Sequence, residues 1–200
     1  MAFTTYTELL TNVADWAARG DPAFTAKVPD FIHLGEARIW RKLRVSDMVV
    51  PASLVVPAAQ NWVALPSDWL AFKRIRTTSI ARIEYMPPDQ LDDLPTPGDD
   101  ARYSVEGRRL LYGTTPAANL TLDIRYYQHP GFLITEGTTW LLTKAPAAYL
   151  YAALIEGALF VKNAAKAGEW GALLDKELGE LKSADEASMV SGGRLRQSPR

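Results

Sequence analysis

The stretch WLLTKAPAAYLYAALIEGALFV, residues 140–161, constrains the fold more than any other part of the chain. Its 11 residues from Ala145 to Ile155 carry no charge and are bounded by Lys144 and Glu156. Such a helix belongs at the centre of a bundle, because an element apolar on every side needs neighbours to cover it. It is too short for a membrane span, which takes about 20 predominantly apolar residues. Pro146 suits a first helical turn, where a missing N–H costs nothing, and Thr139 and Thr143 are both placed to cap. The pattern predicts one helix from this point to about Ala164. Ala147, Ala148, Ala152, Ala153 and Gly157 would allow close approach of neighbouring helices, while Tyr149, Leu150, Leu154 and Phe160 would fill the core.

Helical periodicity occurs at both ends of the chain. Thr5 or Thr7 can cap a first helix to about Ala18, with Leu9, Leu10, Val13 and Trp16 at helical spacing and Gly20-Asp21-Pro22 ending it. A second helix begins between Thr25 and Asp30 and runs to about Leu43. Ile32, Gly35, Ile39 and Leu43 form one face, widened by Phe31, Leu34 and Trp40. From Ala167 to Ala187, Trp170, Leu173, Leu174, Leu178 and Leu181 define an apolar face opposite a charged one. SMVSGGRLRQSPR then has two glycines, a proline and no apolar period, the composition of an extended tail.

Between the helical ends the period drops to two. MVVPASLVVP, FKRIRTT, ARIEYM and NLTLDIRYYQH read as short strands, PPDQLDDL as a helical turn capped by Asp89, and ARYSVEGRRLLYG as a hairpin turning at Glu106-Gly107. The prolines favour edge strands and an antiparallel sheet. The fold class expected is α+β: mainly an α-helical bundle, with an inserted small antiparallel β-sheet and a flexible, extended C-terminal tail. The bundle is assigned to residues 1–45 and 138–187, the β-rich insertion to 46–137 and a C-terminal arm to 188–200.

No catalytic constellation is evident. The chain has no cysteine, which excludes disulfides, thiolate metal sites and cysteine nucleophiles. His33 lies one turn before Glu36, half a metal site at best, and reads as a satisfied, partly buried histidine; His129 reads as a loop residue. Asp92, Asp93, Asp99 and Asp100 lack the alternating spacing of a calcium loop and read as a solvated acidic loop. Phosphate-binding, nucleophile-elbow and zinc-protease motifs are missing. No enzyme activity, metal or cofactor is therefore expected.

The basic residues are the stronger signal. Arg38, Arg41, Lys42 and Arg44 fall within seven residues, Lys73, Arg74, Arg76 and Arg82 form a second group, and Arg108 and Arg109 sit on the hairpin turn. The 22 basic residues are matched by 23 acidic ones, for a net charge of −1, so no general attraction to nucleic acid or anionic membrane follows. The start, MAFTTYTELL, does not read as a signal peptide, and a cytoplasmic location is the default expectation.

The order of four segments carries a resemblance. They are PDFIHLGEARIWRKLRV (Pro29 to Val45), ALPSDWL (Ala64 to Leu70), IEYMPPDQLDDL (Ile83 to Leu94) and TTWLLTKAPAAYLYAALIEGALFVKN (Thr138 to Asn163), followed by a last helix and a loose tail. The chain resembles, over nearly its whole length, the head-to-tail adaptor proteins of tailed bacteriophages, also called connector or gatekeeper proteins. The resemblance implies a structural protein of the virion neck, assembled in the host cytoplasm as a homo-oligomeric ring, usually a dodecamer. Such a ring sits beneath the portal protein, extends the DNA channel, and receives tail, nozzle or tube proteins. DNA would pass through it during genome ejection without sequence-specific binding, and no membrane is involved. In that reading Gly192, Gly193, Arg194, Leu195 and Arg196 are the candidate portal-binding segment. Arg38, Arg41, Lys42 and Arg44 are candidates for a subunit interface or the channel. Two alternatives stay open: another neck component, such as a head-completion or tail-terminator protein, and a double-stranded DNA-binding module using the basic helix 38–44.

Overall fold

Thr5 opens the first helix with a reciprocal capping box. Its side chain accepts from the Glu8 N–H, and the Glu8 carboxylate accepts from the Thr5 N–H at 3.2 Å. The computed structural model describes residues 3–95 and 98–190. In chain order its elements are α1 (Tyr6–Trp16), α2 (Pro22–Thr25), α3 (Val28–Lys42), a 3-10 turn (Ser46–Met48), β1 (Val49–Val56), β2 (Trp62–Ala64), β3 (Trp69–Arg76), β4 (Glu84–Tyr85) and α4 (Pro88–Asp92). The second half comprises β5 (Arg102–Glu106), β6 (Arg109–Tyr112), β7 (Leu120–Gln128), α5 (Leu133–Glu136), α6 (Trp140–Lys144), α7 (Pro146–Phe160) and α8 (Ala164–Val190). The chain is thus mixed α+β. It divides into two units, Met1–Ser46 with Pro130–Arg200, and Asp47–His129.

In the first unit α7 is the most enclosed element: Ala148, Tyr149, Leu150, Ala152, Ala153, Leu154, Ile155, Gly157 and Ala158 are all buried. It packs on α1, α3, α6 and α8. The contact with α3 is set by Gly35, where a Cβ would come within 2.9 Å of the Ala152 carbonyl carbon and 3.0 Å of the Ala153 nitrogen. Glycine there lets the two backbones touch. On α8 the buried positions are Ala167, Leu174, Leu178 and Asp185, a seven-four-seven spacing that keeps one seam against its neighbours. Asp185 ends that seam by accepting from the Ser46 N–H at 2.9 Å and from the Ser46 hydroxyl.

Several expectations for this unit are corrected. The 140–161 stretch is not one helix but two, because Ala145, which precedes Pro146, sits at φ −142, ψ 68. The proline ring excludes the helical region for the residue before it. Thr139 caps α6, accepting from the Leu142 N–H at 3.2 Å, whereas the Thr143 hydroxyl donates back to the Thr139 carbonyl. Phe160 is 49% exposed, and so are Leu34 at 49% and Leu173 at 39%, all placed in the core by periodicity alone. The α3 helix, by contrast, begins at Val28, within the Thr25 to Asp30 range expected for it. Residues 130–137, grouped from sequence with the β-rich insertion, belong to the helical unit, and α8 continues through Ser188 to Val190, positions assigned to the arm.

The second unit holds two sheets rather than the single one expected. One is antiparallel in the order β1-β7-β3; the other runs β2-β6-β5-β4, with β4 parallel to β5 over two residues and the rest antiparallel. Pro51 is tolerated because β1 is an edge strand. Val56, Leu65, Ile75, Ile83, Leu110, Tyr112, Leu122, Ile124 and Tyr126 form this unit's core. The hairpin between β5 and β6 turns on Gly107 and Arg108, at φ +53 and +63, the pair of left-handed residues that a two-residue turn requires. Arg108 is held there by its guanidinium, which donates to the Pro66 and Ser67 carbonyls at 3.2 and 3.0 Å. Asp89 lies inside α4, whose N-cap is Pro87 without a side-chain bond. Among the described residues no helix is long and apolar enough to cross a membrane.

Candidate functional surfaces

Arg38, Arg41 and Lys42 lie on the last two turns of α3 and Arg44 just beyond its C-cap Leu43, where cations oppose the negative helix end. Arg38 reaches Glu156 of α7, with Nη2 at 2.5 Å and Nε at 3.0 Å from Oε1, a two-pronged pair in which the carboxylate is only 14% exposed. Lys42 reaches Asp175 of α8 at 2.6 Å, in a pair open to solvent. Arg44 donates to the Trp40 and Leu43 carbonyls at 2.5 Å. Arg41 donates to the Ala37 carbonyl at 3.1 Å and is exposed. Arg38 and Lys42 thus join helices within one chain, and Arg41 is the most exposed of the three arginines. The other candidate group, Gly192, Gly193, Arg194, Leu195 and Arg196, lies outside the described residues.

The histidine read as partly buried, His33, is instead exposed and stacks on Phe132, with ring centroids 4.7 Å apart. The buried group is its neighbour Glu36, at 1% exposure. Glu36 Oε1 accepts from the Leu133 N–H at 2.8 Å and so caps α5, whose own N-cap residue Phe132 supplies no side-chain bond. Burial outweighs that hydrogen bond and pushes the Glu36 carboxyl up to about 7. The His33 Nδ1 lies 3.9 Å from its other oxygen. Burial likewise raises the Tyr149 hydroxyl, which is bonded to the Thr139 hydroxyl at 3.1 Å. Helical periodicity alone could not separate the buried carboxylate from the exposed imidazole one turn earlier. Asp92, Asp93 and Asp100 are exposed, and Asp99, with its side chain 40% exposed, also accepts from the Ala101 N–H at 2.8 Å and from Arg102 at 3.2 Å.

The helical unit also carries an aromatic surface. Trp16 is 52% exposed, with Tyr151 and Trp170 beside it at ring separations of 6.5 and 6.0 Å. Phe24, Phe31 and Phe160 form a second cluster, with separations of 5.3 to 6.3 Å. A cleft of about 330 Å³ lies among Trp16, Arg19, Phe24, Gly157, Lys166 and Trp170. Leu159, at 48% exposure, extends the apolar area of this unit. Rigid aromatic area of this kind is what protein–protein contacts use. Among the described residues no group of three or more metal-binding side chains gathers.

Side-chain ion pairs such as Arg38–Glu156 and Lys42–Asp175 tie the helices of this unit together, while Trp16 and Phe160 are left about half exposed. The SU10 adaptor protein family model matches residues 4–198, and the chain belongs to that family. The family places it among virion proteins that associate with other phage structural proteins such as portal and tail, and is generally non-enzymatic. No curated protein matches the chain.

Proposed function

We propose that the protein forms a homo-oligomeric ring in the phage neck, a dodecamer, that joins the portal to the tail and extends the DNA channel. Family membership supports the neck assignment. The observation that carries the assembly reading is the exposed aromatic surface around Trp16, Phe160 and Trp170, since a monomer gains nothing from leaving a half-exposed tryptophan and phenylalanine in solvent. Arg41, open at the end of α3, is the basic residue there best placed to meet a neighbouring subunit or the channel. The segment Gly192, Gly193, Arg194, Leu195 and Arg196 is proposed as the portal-binding arm, its two glycines and two arginines able to donate backbone and guanidinium contacts on docking. The host cytoplasm is the proposed place of assembly.

The test is co-incubation of the purified chain with its portal protein, read by size exclusion and low-resolution imaging. A ring seated on the portal is expected. Removal of residues 191–200 should leave the helical circular dichroism unchanged and weaken docking, and Trp16→Ser should reduce ring formation. A chain that stays monomeric beside the portal would refute the ring, and full docking without residues 191–200 would refute the arm.

A further inference from the structure

One face of the β1-β7-β3 sheet carries a surplus of positive charge that the core does not require. Along β7 the residues alternate: Leu122, Ile124 and Tyr126 are buried, while Asp123 and Arg125 are exposed on the opposite face. The alternation on β3 is broken by a bulge. Phe72 pairs with Tyr126 and Ile75 with Ile124 on the core side, and the register shifts between Phe72 and Arg74. Lys73 is therefore the extra residue, and the bulge turns both Lys73 and Arg74 outward. Lys73 Nζ lies 6.0 Å from the ring centre of Tyr127, the next outward residue on β7.

The result is an unusual pairing. Arg74 sits directly opposite Arg125, and Arg76 opposite Asp123. Like charges directly across a strand pair are destabilising. Asp123 is the one carboxylate this pattern places among them; Arg76 Nε lies 3.4 Å from it, and the Ser53 hydroxyl also donates to it, at 3.4 Å. Arg74 donates to the Ala81 carbonyl at 3.1 Å, which fixes its position without neutralising it. Among the described residues Lys73 and Arg125 have no ion pair. Four exposed cations on this sheet face thus accompany one carboxylate, although the whole chain has a net charge of −1.

We propose that this sheet face, built on Lys73, Arg74, Arg76 and Arg125, is a contact surface for the phosphate backbone of duplex DNA. The spacing favours that occupant. Neighbouring strands lie about 4.8 Å apart and outward residues on one strand about 7 Å apart, so the four cations are close enough together to meet neighbouring phosphates of a duplex, which carries one charge per ~1.7 Å of its axis. Contacts to phosphate oxygens carry no base information, so binding of this kind is independent of sequence. Three to four neutralised phosphates give weak, salt-sensitive binding, with log K falling against log salt at a slope of about −3. The surface does not depend on the ring reading, because it is complete within one chain.

Fluorescence anisotropy of a labelled random-sequence duplex, titrated with the full chain at low salt, tests it. Binding with a slope of about −3 is expected. Lys73→Ser with Arg125→Ser, which removes no hydrogen bond or ion pair among the described residues, should abolish most of it. Lys162→Ser with Lys176→Ser, which removes the same charge from the helical unit, should leave it intact. Asp123→Asn should tighten binding. Absent binding, or equal loss in the two double variants, overturns the proposal. Equal affinity for poly-glutamate of matched charge also overturns it, pointing instead to an acidic protein surface. Portal association, measured separately, is untouched by either result.

Discussion

Placing alanine at two glycines of the helical unit should change stability in opposite directions. In a helix interior Gly→Ala is favourable by about 1 kcal/mol, because glycine loses more backbone freedom on folding. At Gly171 of α8 a Cβ meets nothing within 4 Å, so the full gain is expected. For a chain of this size that gain raises Tm by roughly 2–4 °C. At Gly35 the same Cβ lies 2.9 Å from the Ala152 carbonyl carbon, 3.0 Å from the Ala152 Cβ and 3.0 Å from the Ala153 nitrogen. Two of those three obstacles are backbone, so no rotamer change relieves them and α3 and α7 must part. Overpacking of that kind costs about 1–3 kcal/mol. Set against the propensity gain, the net is a loss of up to about 2 kcal/mol, or roughly 4–8 °C in Tm. Gly35→Val should lose more, since its two methyl groups enter the same space. Differential scanning fluorimetry on the three variants at one pH reads the signs directly. If Gly35→Ala raised Tm as Gly171→Ala does, the close approach of α3 and α7 would be wrong.

Two further perturbations address the same unit. Leu154 is 2% exposed, and Leu154→Asp buries a charge without a partner; loss of the cooperative thermal transition is expected, and a soluble, folded, assembly-competent variant would show that α7 is not core. Glu36, held at about 7 against 4.5 in an exposed carboxyl, retains its proton between those values while the unfolded chain releases it. Stability should therefore fall as pH rises from 4.5 to 7, by on the order of 3 kcal/mol. Glu36→Gln keeps an acceptor for the Leu133 N–H, so the variant should match the parent at pH 5 and exceed it at pH 8. Parallel urea midpoints for the two chains across that range would count against the raised carboxyl.

Local signals in the sequence marked the elements well where they act over a few residues. Thr5 with Glu8, Pro22, the Glu106–Arg109 turn and the alternation of β7 each specify their own structure without outside help. Longer-range outcomes were not legible. Phe160 satisfies the helical period as well as Leu154 does, yet it lies at the last position of α7, beyond full cover by its neighbours. Glu36 shares a face with Ile32 and Ile39, and what it caps stands 97 residues later. The interface candidates Arg38 and Lys42 could be grouped by spacing, but their partners Glu156 and Asp175 depend on how three helices pack. The outward turn of Lys73 comes from a bulge whose position is set by the pairing of β3 with β7, not by any residue in FKRIR.

The helical unit is interrupted by Asp47–His129, and that division sets an order of events during synthesis. The second unit is continuous and can fold once its own last strand has left the ribosome. The α3 helix has no such independence, because Gly35 is shaped to receive α7 and Phe31, Ile32 and Ile39 are buried in a unit completed only by the later helices. About a hundred residues separate the two helices, which at ~5–20 residues per second leaves α3 waiting for roughly 5–20 s. Through that interval its apolar face is open to other nascent chains, so the yield of soluble protein should depend on how quickly the region from His129 to Phe160 is translated.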